Sequence, residues 1–484
     1  MKKSVWFIGL LCLVSIPLVL FFLLDPIFDP DFFWHLKTGQ WIWQHGALPA
    51  SDPFTINALA TPDVTQKFKL TSYWLADLLF YGLYQAFGLF GIIGIRVVYV
   101  LVMASSLIFL KKRSRGVMAI LTVAFLVTFL SENSFERPQI FTFCFFALLL
   151  FLIEKYRSEE NNRIYSILIP IVALLWTNMH GGFFLLYILC AWFVLGEIYL
   201  SWIQKRPLKN LRGVLVVVSV AVAVSFVNPN VADMFAVYKE MLSGSSKFVF
   251  SFITEYQSLG TMLSKGNYSF LFFPIIFFLA LYFFVFDGLK KNAVNIVFLL
   301  GFAFFSYTSM RYLTLFGMFC LPFAADGLSR FRGKKPYALA FLLLAFSLAV
   351  TPVEFNNDNY LKLKNSGPVD ARFPIGAVSY LKQNQLRGHI LNEYDWGGYL
   401  IWELGDESKV FIDTRAMDSA LFKDWVFMSA GLNTGKLISK YDFDLAVLPQ
   451  FIKGQPNPLT ITLSADKSWK HLYDTGGAAI FVKQ

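Results

Sequence analysis

The sequence predicts an α-helical polytopic membrane protein that ends in an α/β domain. Hydrophobic residues make up 56% of the 484 residues and charged residues only 15%, whereas a soluble domain carries about 25% charged residues. Apolar stretches recur through the first 351 residues, and a mixed, water-compatible composition follows them. We therefore expect a transmembrane domain at 1–351 and an α/β domain outside the membrane at 352–484.

Eleven stretches are apolar enough to be candidate membrane spans. A bilayer core of about 30 Å needs about 20 helical residues, so the ends of the shorter stretches are approximate. The candidates are residues 7–24, 88–110, 117–131, 138–153, 164–177, 183–203, 213–227, 268–286, 292–306, 312–325 and 336–351. The first follows Lys2 and Lys3 and is too long for the core of a cleavable signal, which predicts a retained signal-anchor helix.

Basic residues are concentrated in alternate loops. They lie in the segments 111–115, 155–163, 205–212, 290–291 and 330–335, as well as at the N-terminus. Because cytoplasmic loops carry the excess of Lys and Arg, this pattern predicts a cytoplasmic N-terminus and an extracytoplasmic C-terminal domain. The net charge of +10 therefore reflects membrane topology, and no nucleic-acid partner is expected.

The first outer loop, residues 25–87, holds two aspartates beside a histidine. Carboxylates at the edge of a bilayer are costly, so Asp29 and Asp31 suggest chemistry. They could hold a divalent cation, or one could act as a general base. Capping of the following helix is an equally good explanation for Asp29. His35, one helical turn after Asp31, could donate to a phosphate, orient the aspartate or be a buried structural histidine.

Later outer turns add charged and hydrogen-bonding side chains on the same predicted face. Arg137 and Arg311 lie at helix ends, where a guanidinium could bind a lipid phosphate bidentately or simply reach the headgroups. His180 precedes two glycines that would let a ligand or a neighbouring helix approach closely. Glu255 and Tyr256 end a long outer loop and could contact a sugar or an acceptor, or could only pack the loop.

The C-terminal region has the pattern of a small α/β domain. Strand-like runs lie at 389–391, 410–412, 445–448 and 479–482, and helical runs lie at 375–385 and 419–430. Such an alternation is typical of a sheet covered by helices. The chain contains no P-loop, no glycine-rich dinucleotide turn and no metalloprotease or serine-hydrolase motif.

Several motifs resemble those of bacterial multi-spanning GT-C glycosyltransferases. They are Asp29-Pro30-Asp31-x-x-Trp34-His35-Leu36-x-x-Gly39, Pro49-x-x-Asp52-Pro53-Phe54, Glu136-Arg137-Pro138-Gln139, Asn178-x-His180-Gly181-Gly182, Tyr394-Asp395-Trp396-Gly397-Gly398-Tyr399 and Phe411-Ile412-Asp413-Thr414-Arg415. The last two mark an uncharacterised branch. The wider class includes protein mannosyltransferases, aminoarabinose transferases and oligosaccharyltransferases.

The resemblance implies a GT-C-like fold in the bacterial cytoplasmic membrane. It also implies transfer of a sugar from a polyprenyl-phosphate-linked donor to an extracytoplasmic glycan, lipid or protein acceptor. By analogy, Asp31 or Asp29 would deprotonate the acceptor or hold a metal, and Arg311 or Arg137 would neutralise the leaving phosphate. The remaining predicted contacts are His180 to the donor phosphate, and His35, Glu255 and Tyr256 to the substrate.

The possible divalent metal is the only cofactor that these residues suggest. Two other functions remain open from the sequence. A non-catalytic membrane scaffold would use the outer domain to bind a partner. A transporter would need charges near the bilayer midplane, where only Arg96 qualifies. Arg96 itself is better explained by a structural partner than by catalysis.

Overall fold

The computed structural model describes residues 23, 25–56, 63–111, 114–132, 136–159, 162–204, 209–230, 233–234, 237, 239, 254–350, 367–416, 418–475 and 477–484. The chain divides into two compact units. Unit 1 comprises Met1–Leu24, Ile93–Asn228 and Phe250–Asp358, and unit 2 comprises Asp25–Ile92, Pro229–Val249 and Asn359–Gln484. The described residues of the first outer loop thus belong to the same unit as the C-terminal residues. The domain boundary expected at residue 351 falls outside the described residues and stays a prediction.

The α-helices are numbered in chain order. They are α1 (Phe32–His45), α2 (Val64–Thr71), α3 (Trp74–Ile108), α4 (Arg115–Glu132), α5 (Gln139–Ser158), α6 (Arg163–Met179), α7 (Phe184–Gln204), α8 (Lys209–Ser225), α9 (Leu259–Ser264), α10 (Phe272–Asp287), α11 (Ala293–Thr308), α12 (Leu313–Leu328), α13 (Lys335–Val350), α14 (Ile375–Gln383), α15 (Gly397–Leu404), α16 (Ser419–Ser429), α17 (Thr434–Lys440) and α18 (Pro458–Ala465). The strands are β1 (Gly388–Asn392), β2 (Ser408–Val410), β3 (Leu445–Pro449), β4 (Phe451–Ile452), β5 (Gln455–Pro456), β6 (Trp469–Thr475) and β7 (Ala478–Lys483).

Every predicted span from residue 88 onward lies on one of these helices, which confirms the helical membrane class. In the part of the chain that the structure describes, four helical segments are long and apolar enough to cross a membrane, namely Val64–Ile108, Gln139–Ser158, Gly181–Ile203 and Tyr268–Asp287. Five others are apolar but shorter. The count of about eleven spans is therefore not confirmed, and the predicted span at 7–24 lies almost entirely outside the described residues.

Several basic residues of unit 1 lie together at one end of its helices. Lys111 forms a 2.6 Å ion pair with Glu154, close to the end of α5, and Arg157 binds Glu197 at 2.8 Å. Because α5 rises about 1.5 Å per residue, this end lies well over 15 Å from the start of the same helix. The concentration of basic residues at one end is the distribution that the positive-inside rule predicts.

Helix α3 is interrupted within its length. Gly88 has φ 61° and ψ −161°, a backbone conformation outside the helical region. This interruption separates two stretches that the sequence also distinguishes, the aromatic segment before residue 88 and the predicted span at 88–110. Only glycine adopts this region of backbone space without strain, so the residue type explains the position of the break.

A five-stranded mixed sheet forms the centre of the C-terminal part of unit 2. Its strand order is β2-β1-β3-β7-β6, with β1 parallel to β2 and β3, and with β7 antiparallel to β3 and β6. The predicted strand-like runs at 389–391, 445–448 and 479–482 lie on β1, β3 and β7, whereas the run at 410–412 shares only Val410 with β2. The two predicted helical runs correspond to α14 and α16. Edge strand β6 was not predicted because most of its side chains are exposed or only half-buried.

The first outer loop extends this sheet. The backbone N–H of Ile56 donates to the Val410 carbonyl at 3.0 Å, and the Val410 N–H donates to the Phe54 carbonyl at 3.2 Å. Residues next to Asp52 therefore pair with β2, which would otherwise be an edge strand. This isolated parallel bridge connects the first outer loop to the C-terminal sheet.

Candidate active site

The predicted acidic turn comes directly before α1. Asp29 is buried, and its Oδ1 accepts the backbone N–H of Asp31 at 2.8 Å. Asp31 is half-buried, and its Oδ1 accepts the indole N–H of Trp34 at 3.3 Å. Although Asp31 occupies the N-cap position of α1, its carboxylate makes no capping hydrogen bond. Asp29 therefore has a local structural role in this turn, and a contact of the Asp31 carboxylate with substrate stays a prediction.

His35 is held inside unit 2 by an aspartate that the sequence reading did not select. The His35 ring is buried, and its Nδ1 lies 2.7 Å from Oδ1 of Asp77, which is also buried. The Trp34 ring lies 3.5 Å from the imidazole, centre to centre, and the Tyr73 ring meets it edge-on. These contacts favour the structural explanation for His35, whose contact with substrate stays a prediction. The only sequence signal for Asp77 was a carboxylate in the first turn of a very apolar helix.

A buried cluster joins the first outer loop to the loop after β2. The Arg415 guanidinium makes two parallel hydrogen bonds to Asp52, at 3.0 and 3.1 Å, and also binds Asp413. Burial lowers the pKa of Arg415, but Asp413 and Asp52 together raise it above its ordinary value. All three residues were quoted for the family resemblance alone, and nothing in the sequence indicated that they meet.

His180, in unit 1, is a neutral hydrogen-bonding residue. Its Nδ1 accepts the backbone N–H of Gly182 at 2.9 Å and lies 2.7 Å from the hydroxyl of Thr142. The Thr142 oxygen in turn accepts the indole N–H of Trp176 at 2.8 Å. Burial, assisted by the charge of Arg311, lowers the pKa of His180 to about 3. A neutral imidazole can donate a hydrogen bond to a phosphate, but it cannot neutralise the charge.

The predicted arginines lie at the same end of unit 1 as His180. Arg137 forms a 2.7 Å ion pair with Glu255, so a carboxylate already balances its charge. Arg311 donates to the phenol oxygen of Tyr256, and its guanidinium lies 5.5 Å from the centre of that ring. Five of the predicted site residues therefore lie at the same end of unit 1. They are Arg137, His180, Glu255, Tyr256 and Arg311. Phosphate binding by either arginine stays a prediction.

Arg96 has the structural partner that the sequence required. Its guanidinium binds the Glu136 carboxylate and donates to the Leu23 carbonyl at 3.0 Å, and both charged side chains are buried. A buried charge needs such a partner because desolvation of an unpaired ion is costly. The Glu-Arg-Pro-Gln motif thus supplies two ion pairs, one from Glu136 and one from Arg137.

The described side chains do not make a resident metal site by themselves. Among the described residues, no group of three or more His, Cys, Asp and Glu side chains is arranged to hold a metal ion. Asp29 and Asp31 would supply two carboxylates at most, whereas Mg²⁺ and Ca²⁺ take six or more oxygen ligands. Binding of a metal by these two aspartates therefore stays a prediction.

Comparison with known proteins identifies the fold. No protein-family model and no curated protein sequence matches the chain. The archaeal oligosaccharyltransferase AglB from Archaeoglobus fulgidus, in complex with an inhibitory peptide and a dolichol-phosphate, matches with a TM-score of 0.57 at 10% identity, over 100% of this chain and 74% of AglB. The A. fulgidus oligosaccharyltransferase tethered to an acceptor peptide matches with a TM-score of 0.51 at 12% identity, over 95% and 70% of the two chains.

The chain thus shares its fold with these oligosaccharyltransferases along nearly its whole length. This class of fold agrees with the one that the sequence motifs implied. At such low identity the likeness concerns the fold alone, and function has to be argued from the residues of the site.

Proposed function

We propose that this protein is a membrane glycosyltransferase of the GT-C type. It would move a sugar from a polyprenyl-phosphate-linked donor to an extracytoplasmic acceptor. The observation that carries the proposal is the cluster of Arg311, Tyr256 and His180 at the end of unit 1 opposite the basic loops. The fold supports it, because a solved neighbour with the same fold holds a dolichol-phosphate.

Arg311 is the proposed ligand of the donor phosphate. Its charge lies beside the phenol of Tyr256 and close enough to His180 to lower the pKa of that imidazole. As the sugar–phosphate bond breaks, negative charge grows on the leaving phosphate, and a preorganised guanidinium stabilises that charge. His180, kept neutral by burial, would add a hydrogen bond without competing for a proton.

Asp31 is the proposed general base. The acceptor hydroxyl oxygen would attack the anomeric carbon while the bond from that carbon to the phosphate oxygen breaks. The phosphate would leave with the bonding electron pair, and the acceptor proton would pass to the Asp31 carboxylate. Direct attack of this kind inverts the configuration at the anomeric carbon.

The test is sugar transfer by the full chain in lipid nanodiscs, using radiolabelled polyprenyl-phosphate sugars as donors. General-base catalysis contributes roughly 10²- to 10⁴-fold, so Asp31→Asn should lower the turnover number by about that factor with little change in donor affinity. Arg311→Gln should instead weaken binding of a polyprenyl phosphate by about tenfold or more, since a charged hydrogen bond is worth about 1.5–3 kcal/mol.

The matched control is Arg387→Gln, which removes an arginine from an exposed ion pair in the C-terminal domain. It should leave both turnover and donor binding at the wild-type level. Undiminished transfer by Asp31→Asn would exclude Asp31 as the base. Failure of the wild-type chain to bind a polyprenyl phosphate or to transfer a sugar would instead favour the scaffold alternative.

A further inference from the structure

Two pairs of distant motifs meet inside unit 2. The acidic turn before α1 meets the Gly397-Gly398 pair that opens α15. The loop at Asp52 meets the segment that ends in Arg415. Each pair joins the first outer loop to the C-terminal domain, across more than 350 residues of sequence.

The first contact leaves no room for a side chain at Gly398. A Cβ atom added to Gly398 would lie 2.6 Å from the Pro30 carbonyl oxygen and 3.4 Å from the backbone nitrogen of Trp34. The start of α15 therefore packs directly against the acidic turn, backbone against backbone. Phe33 fixes the same contact from the side, because its ring packs edge-on against Tyr399 and Phe373 at about 5 Å between centres.

The second contact is the buried cluster around Arg415. Its guanidinium donates two parallel hydrogen bonds to the Asp52 carboxylate. The Nε–H of the same guanidinium donates to Oδ1 of Asp413 at 2.8 Å. Asp52 is itself fixed, since it accepts the Phe54 N–H at 3.1 Å and the Thr55 hydroxyl at 2.7 Å. Only a planar, five-donor group can satisfy two carboxylates in this way, so lysine is not an equivalent replacement.

Trp34 connects this cluster to the proposed base. The Arg415 guanidinium carbon lies 5.7 Å from the centre of the Trp34 ring, within the range of a cation–π contact. The indole N–H of Trp34 donates to the Asp31 carboxylate. Trp34 is also buried, so its ring has little room to move if the guanidinium stays in place.

We infer that Arg415 and Gly398 are positioning residues, through which the C-terminal domain holds the Asp31 carboxylate in its working geometry. The inference rests on the proposed transferase function and gives residues 367–484 a role in it. Neither residue needs to touch the substrate. Because a displacement of about 1 Å of a catalytic group can cost roughly 10²-fold in rate, such positioning has a measurable effect.

The experiment combines hydrogen–deuterium exchange with transfer kinetics, on the full chain in nanodiscs. Arg415→Lys keeps the positive charge but cannot bind both carboxylates through one planar fork. We expect faster exchange in residues 29–36 and 52–56 and a fall in turnover of roughly 10- to 100-fold. The donor KM should stay near the wild-type value, since the proposed phosphate ligands belong to unit 1.

Gly398→Ala provides a second variant that leaves the charge cluster intact. It should speed exchange in residues 29–36 but not in 52–56, and it should lower turnover with the same unchanged donor KM. The matched controls are Arg387→Lys in the exposed pair with Glu407, and Gly435→Ala in α17, where an added Cβ meets nothing within 4 Å. Both controls should resemble wild type in exchange and in turnover.

The outcomes separate this inference from the function on which it rests. Unchanged exchange in residues 29–36 in both variants overturns the inference, and so does faster exchange with unchanged turnover. A parallel loss of donor binding would show general unfolding instead of positioning and would also overturn it. If the wild-type chain transfers no sugar, the proposed function fails, and exchange alone then decides whether the C-terminal domain holds the turn.

Discussion

Asp29 and Asp31 differ in what their carboxylates contact, although only one residue separates them. Asp29 is buried and accepts a backbone N–H, so its oxygen completes the turn that starts α1. Asp31 is half-buried, and its carboxylate accepts the indole N–H of Trp34 at 3.3 Å. Asp29 thus supports the turn before α1 but is not its N-cap, a position that Asp31 occupies, and the catalytic assignment for Asp31 stays a prediction.

Substitutions at Asp29 should separate hydrogen bonding from charge. Asp29→Asn keeps an oxygen that can accept the Asp31 N–H, and we expect nearly wild-type stability. Asp29→Ala removes the acceptor and should lower the free energy of unfolding by about 1 kcal/mol, the usual cost of losing such a bond. Chemical unfolding of both variants is the measurement, and equal losses would contradict the turn role.

Glu393, which follows β1, should make unit 2 sensitive to pH. Burial, followed by the repulsion of Asp395, raises the pKa of Glu393 from an ordinary 4.5 to about 7. The fold thus favours the protonated carboxyl, and the stability that this supplies is complete below about pH 4.5. It is lost as the pH rises through 7, with a total effect of no more than about 3 kcal/mol.

Glu393→Gln replaces the protonated carboxyl by a neutral amide and should remove this pH dependence. Unfolding free energies measured between pH 5 and 8 should fall for the wild-type chain and stay flatter for the variant. The surface substitution Glu407→Gln should keep the wild-type slope. An identical slope for wild type and Glu393→Gln would refute the assignment.

At the scale of single elements, helix α3 shows how one residue type sets local geometry. Its break at Gly88 requires a positive φ, whereas Gly82 and Gly94 in the same helix have ordinary backbone angles and open space around a Cβ. The four glycines of this helix look alike in sequence, and only Gly88 has a positive φ. A Cβ at Gly91 would lie 2.6 Å from the Phe87 Cβ, so Gly91 is constrained by contact and not by its backbone angles.

Alanine substitutions along α3 should therefore give opposite results. Gly88→Ala forces a side chain into a backbone region that only glycine adopts easily, at a cost of roughly 1–3 kcal/mol. Gly82→Ala and Gly94→Ala should be neutral or stabilising, since alanine has the higher helix propensity. Thermal unfolding of the three variants in one detergent is the comparison, and a neutral Gly88→Ala would show that the break is not needed.

At the scale of the whole molecule, the distribution of charge predicts its orientation. The basic loops gather at one end of unit 1, while Arg311, His180 and the ion pair of Arg137 with Glu255 lie at the other. The positive-inside rule places the first end in the cytoplasm. The C-terminal domain is then expected on the opposite side of the membrane.

Thiol labelling of intact cells tests this orientation. The exposed residues Ser464 and Lys334 are suitable positions, and the described cysteines are buried. Ser464→Cys should react with a membrane-impermeant maleimide from outside, and Lys334→Cys only after the membrane is opened. The opposite pattern would reverse the orientation and remove the case for an extracytoplasmic reaction.

Much of the fold could be predicted from the sequence because the signals involved are local. Runs of apolar side chains define helices and strands within about 20 residues, so the predicted spans from residue 88 onward, helices α14 and α16 and strands β1, β3 and β7 follow from patterning. The short helices α9, α15, α17 and α18 and most of β2 were not predicted. The residues of unit 1's cluster were also found, since charged side chains at the ends of apolar helices are rare and conspicuous.

The contacts between distant residues were decided only by the tertiary structure. Nothing in the sequence shows that Asp77 binds His35 or that Arg415 binds Asp52, because a charge pair depends on where the chain returns and leaves no periodic trace. The sequence by itself determined a helical membrane chain with an α/β end. Which aspartates form buried ion pairs was decided only by the fold. A buried charge requires a specific partner, and the amino-acid composition does not identify that partner.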